Sequence, residues 1–236
     1  MLAEPRLREL WVLIRAVFFV KIIKRVKTIN SNDAFDVTVK HNFNALLTVN
    51  NRMDLLIKPL SAIEVLDKNS KFLIIGPRNE NDVFSLASNG FAISNIHGYD
   101  LISYSPYIKL GDMHAIDYSD NYFDTVICGW TLSYSANPRK AAEEMLRVVK
   151  NNGLIAIGVE YSTLTENDEK SITGYSIQEN DRLQVRINST DQIKELFKEN
   201  IGRIYFEHDA PNKISHSVDQ VKKNVSNVAL IFEVKK

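Results

Sequence analysis

Gly111-Asp112-Met113-His114-Ala115-Ile116-Asp117-Tyr118-Ser119-Asp120-Asn121-Tyr122-Phe123-Asp124-Thr125-Val126 is the stretch on which the fold of this chain turns. It passes from a Gly-Asp turn through polar bends into an apolar run, Phe123 to Cys128, whose centre is β-branched, as a buried strand requires. Upstream, Phe72 to Ile75 is a second continuous apolar run and ends at Gly76; Phe91 to Tyr99 supplies a further strand ending at Asp100. Downstream, Asn137-Pro138 reads as a helix start, with Asn as cap and Pro in the first turn. That helix, Arg139 to Lys150, stops at Asn151-Asn152-Gly153, where Gly supplies the left-handed cap, and Leu154 to Val159 follows as a strand.

Helical segments lie at both ends of this core. Met53, Leu56, Leu60, Ile63 and Leu66 recur at helical spacing from Asn51 to Leu66, with Pro59 set to kink or restart the helix. Asp82 to Ser88 is a short helix, and Ser189 caps another over 190–200. Ile204 to Glu207 and Val228 to Val234 are the last strands. Strands separated by helices predict an α/β fold with a mainly parallel sheet and helices on both faces; two closing strands without a long crossover allow one antiparallel partner.

The chain has 236 residues, 44% of them apolar, enough for one α/β domain (51–236) with a helical N-terminal extension (1–50). Lys plus Arg equals Asp plus Glu at 29 each, which argues against a nucleic-acid binder. Cys128 is the single cysteine, so an intramolecular disulfide and a four-cysteine zinc site are excluded, and a reducing, cytoplasmic setting is the natural reading. The five histidines show no metal-ligand spacing. The balanced charge hides an asymmetry: residues 1–30 hold seven basic and two acidic side chains, and the remainder offsets them. From Trp11 to Ile23 only Arg15 and Lys21 interrupt an apolar run, too short for a membrane span and without a signal-peptide cleavage site. Three fates stay open for this helix: packing on its own domain or a second copy, lying on an anionic membrane surface, or serving as a mobile arm.

In an open parallel sheet ligands bind beyond the carboxyl ends of the strands, near the switch in strand order. Gly76-Pro77-Arg78-Asn79 follows the first core strand, and glycine there permits close backbone approach to a ligand. Asp100 ends the second, where a carboxylate can accept hydrogen bonds from both hydroxyls of a ribose. Gly111-Asp112-Met113 presents a carboxylate and a backbone amide together, a pair that can read an adenine edge, and Gly129-Trp130 closes the Phe123 strand.

The Gly111–Val126 run resembles the signature of class I S-adenosylmethionine-dependent methyltransferases of the small-molecule type, Gly-Asp-Ala-x-x-Leu-Pro-Phe-x-Asp-x-x-Phe-Asp-x-Val. Asn137-Pro138 through Glu144-Met145-Leu146-Arg147-Val148-Val149-Lys150-Asn151-Asn152-Gly153 resembles that family's helix and turn before the fifth strand. The resemblance covers about residues 70–162 and implies a Rossmann-like, doubly wound sheet of seven strands with an antiparallel last strand. It implies S-adenosylmethionine as cofactor, with Gly76 facing its methionine part, Asp100 on the ribose, Asp112 and Met113 on adenine, and Gly129 and Trp130 lining the pocket near the amino-acid end; Pro77 and Arg78 stand beside Gly76 as cofactor-binding candidates, Arg78 either clamping a carboxylate or filling the space. Three departures stand out: Pro77-Arg78 replace small residues of the usual Gly-x-Gly-x-Gly loop, ten residues between Asp100 and Gly111 leave no room for the usual helix, and Asn152 replaces the first Gly of a Gly-Gly pair.

The activity implied is methyl transfer to a small-molecule, sugar or lipid-linked acceptor. The altered loop keeps a second reading open, a binding or assembly module that has lost the cofactor. His114 and Glu160 are candidates for removing the acceptor's proton; packing or hydrogen bonding for the histidine, and a solvent-facing lysine partner for the glutamate, are the alternatives. Tyr104, Tyr107, Trp130, Tyr134 and Tyr161 fall near the carboxyl edge, where they either wall an acceptor pocket or pack beneath the loops. The lid is expected from 162–189 and 207–228.

Overall fold

The computed structural model describes residues 2–29, 43, 46–162, 187–209 and 225–236; the polar stretch 30–36, whose sequence reads as a linker, and most of the expected lid lie outside them. In chain order the strands are β1 (Lys27–Thr28), β2 (Phe72–Ile75), β3 (Ile96–Asp100), β4 (Ile102–Ser103), β5 (Ile108–Leu110), β6 (Phe123–Gly129), β7 (Val149–Ser162), β8 (Ile201–His208) and β9 (Val225–Val234). The α-helices among the described residues are α1 (Pro5–Val17), α2 (Asp54–Ser61), α3 (Asn81–Ser88), α4 (Pro138–Val148) and α5 (Thr190–Phe197).

Seven strands form one sheet in the order β5-β3-β2-β6-β7-β9-β8. The pairs β5-β3, β3-β2, β2-β6 and β6-β7 are parallel, and β9 runs antiparallel between β7 and β8. The last strand is antiparallel as expected, and β3 and β6 pair with β2 on its two sides, so the strand order switches beside β2, where an open parallel sheet takes a ligand at its carboxyl edge. Every residue of β2 is buried because both sheet faces are covered. Leu73 and Ile75 face Met145, Val148 and Ile193, whereas Phe72 and Ile74 face Leu56, Ile57 and Val83, so α4 and α5 cover one side and α2 and α3 the other.

Local signals set most boundaries. The Asn137 side chain accepts a bond from the Lys140 amide at 3.1 Å, and Pro138 opens α4. Three expectations shift. The helix expected over 51–66 is only α2, since Pro59 lies inside it and it ends two residues later. The strand expected from Phe91 begins at Ile96, preceded by a 3₁₀ turn at Ile93–Asn95. After α4 the left-handed residue is Asn152 (φ +60), not Gly153; Gly153 is needed because a Cβ would stand 2.9 Å from the Asp124 carbonyl oxygen.

The crossing from β3 to β5 has no helix, as the ten-residue spacing predicts, and the N-terminal extension shields it instead. β1 pairs antiparallel with β4, and Ala16, Val20 and Leu46 pack with Ile102 and Tyr104. α1 is capped by the Glu4 carboxylate, which accepts from the Leu7 amide at 2.7 Å, and it is fastened to α3 by arginines: Arg8 donates to Asn81 and Ser88, and Arg15 reaches Glu80.

Candidate functional site

The site begins at the loop after β2. Gly76 (φ +70) and Arg78 (φ +56) are both left-handed, so the path of a glycine-rich loop survives with an arginine in one of its positions. A side chain at Gly76 would collide with Thr131, whose hydroxyl donates to the Ile75 and Gly129 carbonyls. Pro77 is buried against β3 at Gly98, which has no side chain to obstruct it. Arg78 is half-buried, and among the described residues its guanidinium makes no ion pair or hydrogen bond.

Asp100 joins three loops. Its Oδ2 accepts from the Arg78 amide at 2.9 Å, its Oδ1 from the Ile102 amide at 3.3 Å, and its backbone carbonyl from the Gly111 amide at 3.0 Å. The residue is 5% exposed, and burial pushes its carboxyl up to about 6 against the opposing pull of the Arg78, Ile102 and Leu101 amides.

Gly111 is dictated by Tyr99: a Cβ would overlap the tyrosine ring. The Tyr99 hydroxyl in turn accepts from the Asp117 amide at 3.0 Å and donates to the Ala115 carbonyl at 3.3 Å. Asp112 receives both contacts of His114 on one oxygen: the backbone amide at 2.9 Å and ring Nδ1 at 2.6 Å, both to Oδ1. Burial pushes the Asp112 carboxyl up, but these two bonds outweigh it and hold the group below the usual carboxylate range. His114 Nε2 lies 2.7 Å from Ser135 Oγ, so the ring bridges the loops after β5 and β6. The hydrogen-bonded reading of His114 is the one the structure displays.

Helix α4 pins the same loop. Glu144 accepts from the Ile116 amide at 2.8 Å, and Arg147 donates to the carbonyls of Ile116 and Tyr118 at 2.6 and 2.9 Å. Arg147 also holds Glu144 well below the usual carboxylate range. Thus the Glu and Arg of the Glu144–Arg147 motif clamp the Asp112 loop, although the two segments are about thirty residues apart.

The remaining candidates are placed differently. A side chain on Gly129 would strike Met53, and Trp130 (φ +56) is 3% exposed. The Trp130 ring packs on Gly158 beneath Leu56, and its Nε1 donates to Asn227 at 3.1 Å. Of the two expectations for Trp130, walling a pocket or packing beneath the loops, its ring displays the packed one, in the core under α2. Glu160 pairs with Arg52, not with a surface lysine, and Arg52 lies over the Trp130 ring at 5.1 Å. Tyr104 and Tyr107 pack under α1, near Phe19 and Phe84 respectively. Met113 is half-buried against the core. A groove of about 650 Å³ lies beside these residues, lined by Arg52, Lys58, His208 and Asn227 among others. Sequence reasoning missed Ser135, Arg52 and the Glu80–Arg15 pair; only the apolar setting of Arg15 hinted at any of them.

Residues 88–157 match the family model of a methyltransferase domain. This stretch is similar to a methyltransferase domain over about 70 residues. The match starts past the Gly76–Glu80 loop and spans Asp100, Asp112, Met113, Gly129 and Trp130. The fold agrees. The complex between the Haloferax volcanii Trm112 methyltransferase activator and a methyltransferase aligns with TM-score 0.55 and 15% identity over 86% of this chain and 97% of the other. An S-adenosyl-L-methionine-dependent methyltransferase assignment from Methanococcus maripaludis aligns with TM-score 0.50 and 14% identity over 89% and 98%. The [4+2]-cyclase SpnF aligns with TM-score 0.55 and 14% identity over 86% and 96%. No curated protein sequence matches the chain.

The cofactor a methyltransferase domain implies is S-adenosylmethionine, and the donor set fits its nucleoside end. Asp112 keeps Oδ2 clear of its contacts with His114, and Asp100 holds a carboxylate whose burial is otherwise unfavourable. The left-handed loop after β2 also carries a cation, Arg78.

Proposed function

We propose that this chain transfers a methyl group from S-adenosylmethionine to a small polar acceptor, including sugar and lipid-linked acceptors. One observation carries the reading: Asp100 and Asp112 stand at the carboxyl ends of neighbouring strands, and the left-handed loop after β2 closes onto the first of them. When bound, the cofactor supplies a sulfonium methyl carbon open to in-line displacement. Asp100 would hold the ribose hydroxyls, Asp112 and the Met113 amide the adenine edge, and Arg78 the carboxylate. His114 fixes one Asp112 oxygen, which leaves the other to accept a base amine. The groove beside Arg52 sets Arg52, Lys58, His208 and Asn227 among apolar Leu55, Pro59 and Phe206, a mixed lining that suits an acceptor with both an apolar body and polar groups.

A second reading has its own support. Glu80 occupies the third loop position and is turned inward to Arg15, as in a module that no longer needs the loop for a ligand. Calorimetric titration with S-adenosylmethionine and S-adenosylhomocysteine separates the two. Saturable heat and a raised melting temperature support methyl transfer; silence at millimolar ligand supports the module.

Arg78 gives a sharper test. Replacing Arg78 with Gly removes a side chain from a left-handed position and is expected to stabilise the fold by about 1 kcal/mol. If its guanidinium clamps the carboxylate, cofactor affinity falls at the same time by about tenfold to a hundredfold, and Arg78→Lys retains part of it. Tighter binding by Arg78→Gly would instead identify the arginine as a plug.

A further inference from the structure

α1 is amphipathic in the reverse of the usual sense. Its inward face carries Arg8, Val12 and Ala16, with Arg15 half-buried beside them. Its outward face is apolar: Leu7, Trp11, Ile14, Phe18 and Ile22 follow one another at spacings of three and four, the last two in a π-helical turn, Phe18–Ile22. Leu10, Leu13 and Val17 lie beside that stripe and widen it to roughly half the helix circumference. Leu7, Leu10, Ile14, Phe18, Ile22 and Ile23 are 44–66% exposed. Scattered apolar residues on a surface are ordinary; a continuous face of this kind marks an interaction site.

The charges around the stripe identify what fits it. From Pro5 onward the exposed charged side chains of this segment are all cationic: Arg6 at the start of the helix, and Lys21, Lys24, Arg25 and Lys27 beyond its end. Glu9, the only acid there, is turned to Asn51. A two-fold contact between copies would set cations against cations whichever way the helices ran. Acidic lipid headgroups complement them. No helix among the described residues is long and apolar enough to cross a membrane, so a surface position is the one open to this helix.

We propose that the outward face of residues 5–27 docks on an anionic lipid bilayer, with the Leu7–Ile22 stripe in the acyl boundary and Lys21, Lys24 and Arg25 at the phosphates. The proposal stands apart from the methyl-transfer reading. Because Arg15 and Arg8 fix the inward face to α3, the docked helix keeps the domain in a set orientation to the bilayer. Trp11 lies within the stripe and the other tryptophan, Trp130, is buried, so emission reports directly on insertion.

The full chain should co-sediment with phosphatidylcholine vesicles containing about 30% phosphatidylglycerol, and bind pure phosphatidylcholine at least about tenfold more weakly. Trp11 emission should shift to the blue on binding. The double change Ile14→Glu and Phe18→Glu should weaken binding by at least about tenfold without lowering the melting temperature, since both residues are exposed. Lys21→Gln, Lys24→Gln and Arg25→Gln together should bring binding down to the neutral-vesicle level. Absence of sedimentation and of any emission shift for the wild-type chain overturns the proposal. So does equal binding to both vesicle types, and so does a dimeric mass in solution that Ile14→Glu with Phe18→Glu disperses, which would give the face to a second copy.

Discussion

Replacing Asp100 with Ala is expected, on the proposed methyl-transfer reading, to reduce S-adenosylmethionine affinity by about a hundredfold or more, measured by calorimetry, since it would remove two charge-assisted bonds to the ribose. The same carboxylate anchors the Arg78 and Ile102 amides, so loss of binding alone does not separate a ligand contact from a slackened loop. The pH dependence does. Burial raises this carboxyl from 3.8 to about 6, so the folded chain holds its proton more tightly than the unfolded one. Stability attributable to Asp100 therefore rises as pH falls from 7 toward 4, by about 3 kcal/mol across the window between the two values. Cofactor affinity moves the other way, because a protonated carboxyl is a poorer acceptor, and should fall about tenfold per unit below pH 6. In Asp100→Asn both dependences should flatten near pH 6. Other groups titrate nearby, so the informative quantity is the difference between wild type and variant at each pH. An affinity that stays constant from pH 7 to 5 while stability changes would take Asp100 out of the cofactor site and leave it a loop anchor.

That one residue shows why much of the site was legible in the sequence. Asp100 is the first carboxylate after the Phe91–Tyr99 stretch and so announces a strand tip, and parallel order places strand tips on one edge. Asp112 was legible by another route, the Gly111-Asp112-Met113 turn and the signature it resembles, while the short β5 before it carries no apolar run; the Gly153 turn was nearly legible, missing by one residue the position that turns left-handed. The contacts that hold these residues come from elsewhere in the chain. Ser135 reaches His114 across 21 residues, and Arg15 reaches Glu80 across 65. Left-handed arginine and tryptophan at 78 and 130 carry no compositional mark, because the surrounding packing imposes the backbone there. The first helix lacked a clean polar face in sequence because Arg8 and Arg15 point into the protein and its leucines out, the inverse of what helical periodicity assumes.

The Arg15–Glu80 pair should have the largest effect on stability. The Glu80 side chain is fully buried and accepts from Arg15 Nε and Nη2 at 2.5 and 2.8 Å and from Ser105 Oγ at 2.6 Å. The guanidinium sits among aromatic rings, with Phe19, Phe84 and Tyr107 centroids 5.2–5.9 Å away. Arg15→Ala leaves a carboxylate in a site without its cation, and urea denaturation should show a loss of about 3–5 kcal/mol. Arg15→Lys should lose part of that, since a point charge cannot reproduce the two-pronged contact. The double variant Arg15→Met with Glu80→Gln should recover most of the stability, because burying an ion pair contributes little beyond well-packed neutral groups. A loss below about 1 kcal/mol in Arg15→Ala would mean that water reaches Glu80 and the pair is an ordinary surface bridge. Glu80 lies two residues beyond Arg78, so the pair also bears on the loop after β2 that the proposed function assigns to the cofactor. If the double variant regains stability but not S-adenosylmethionine affinity, the charge pair serves the geometry of that loop, and α1 is part of the binding apparatus and not only a cover for the β3–β5 crossing. If both return together, the loop is held by packing, and the ion pair selects the seating of α1 on α3.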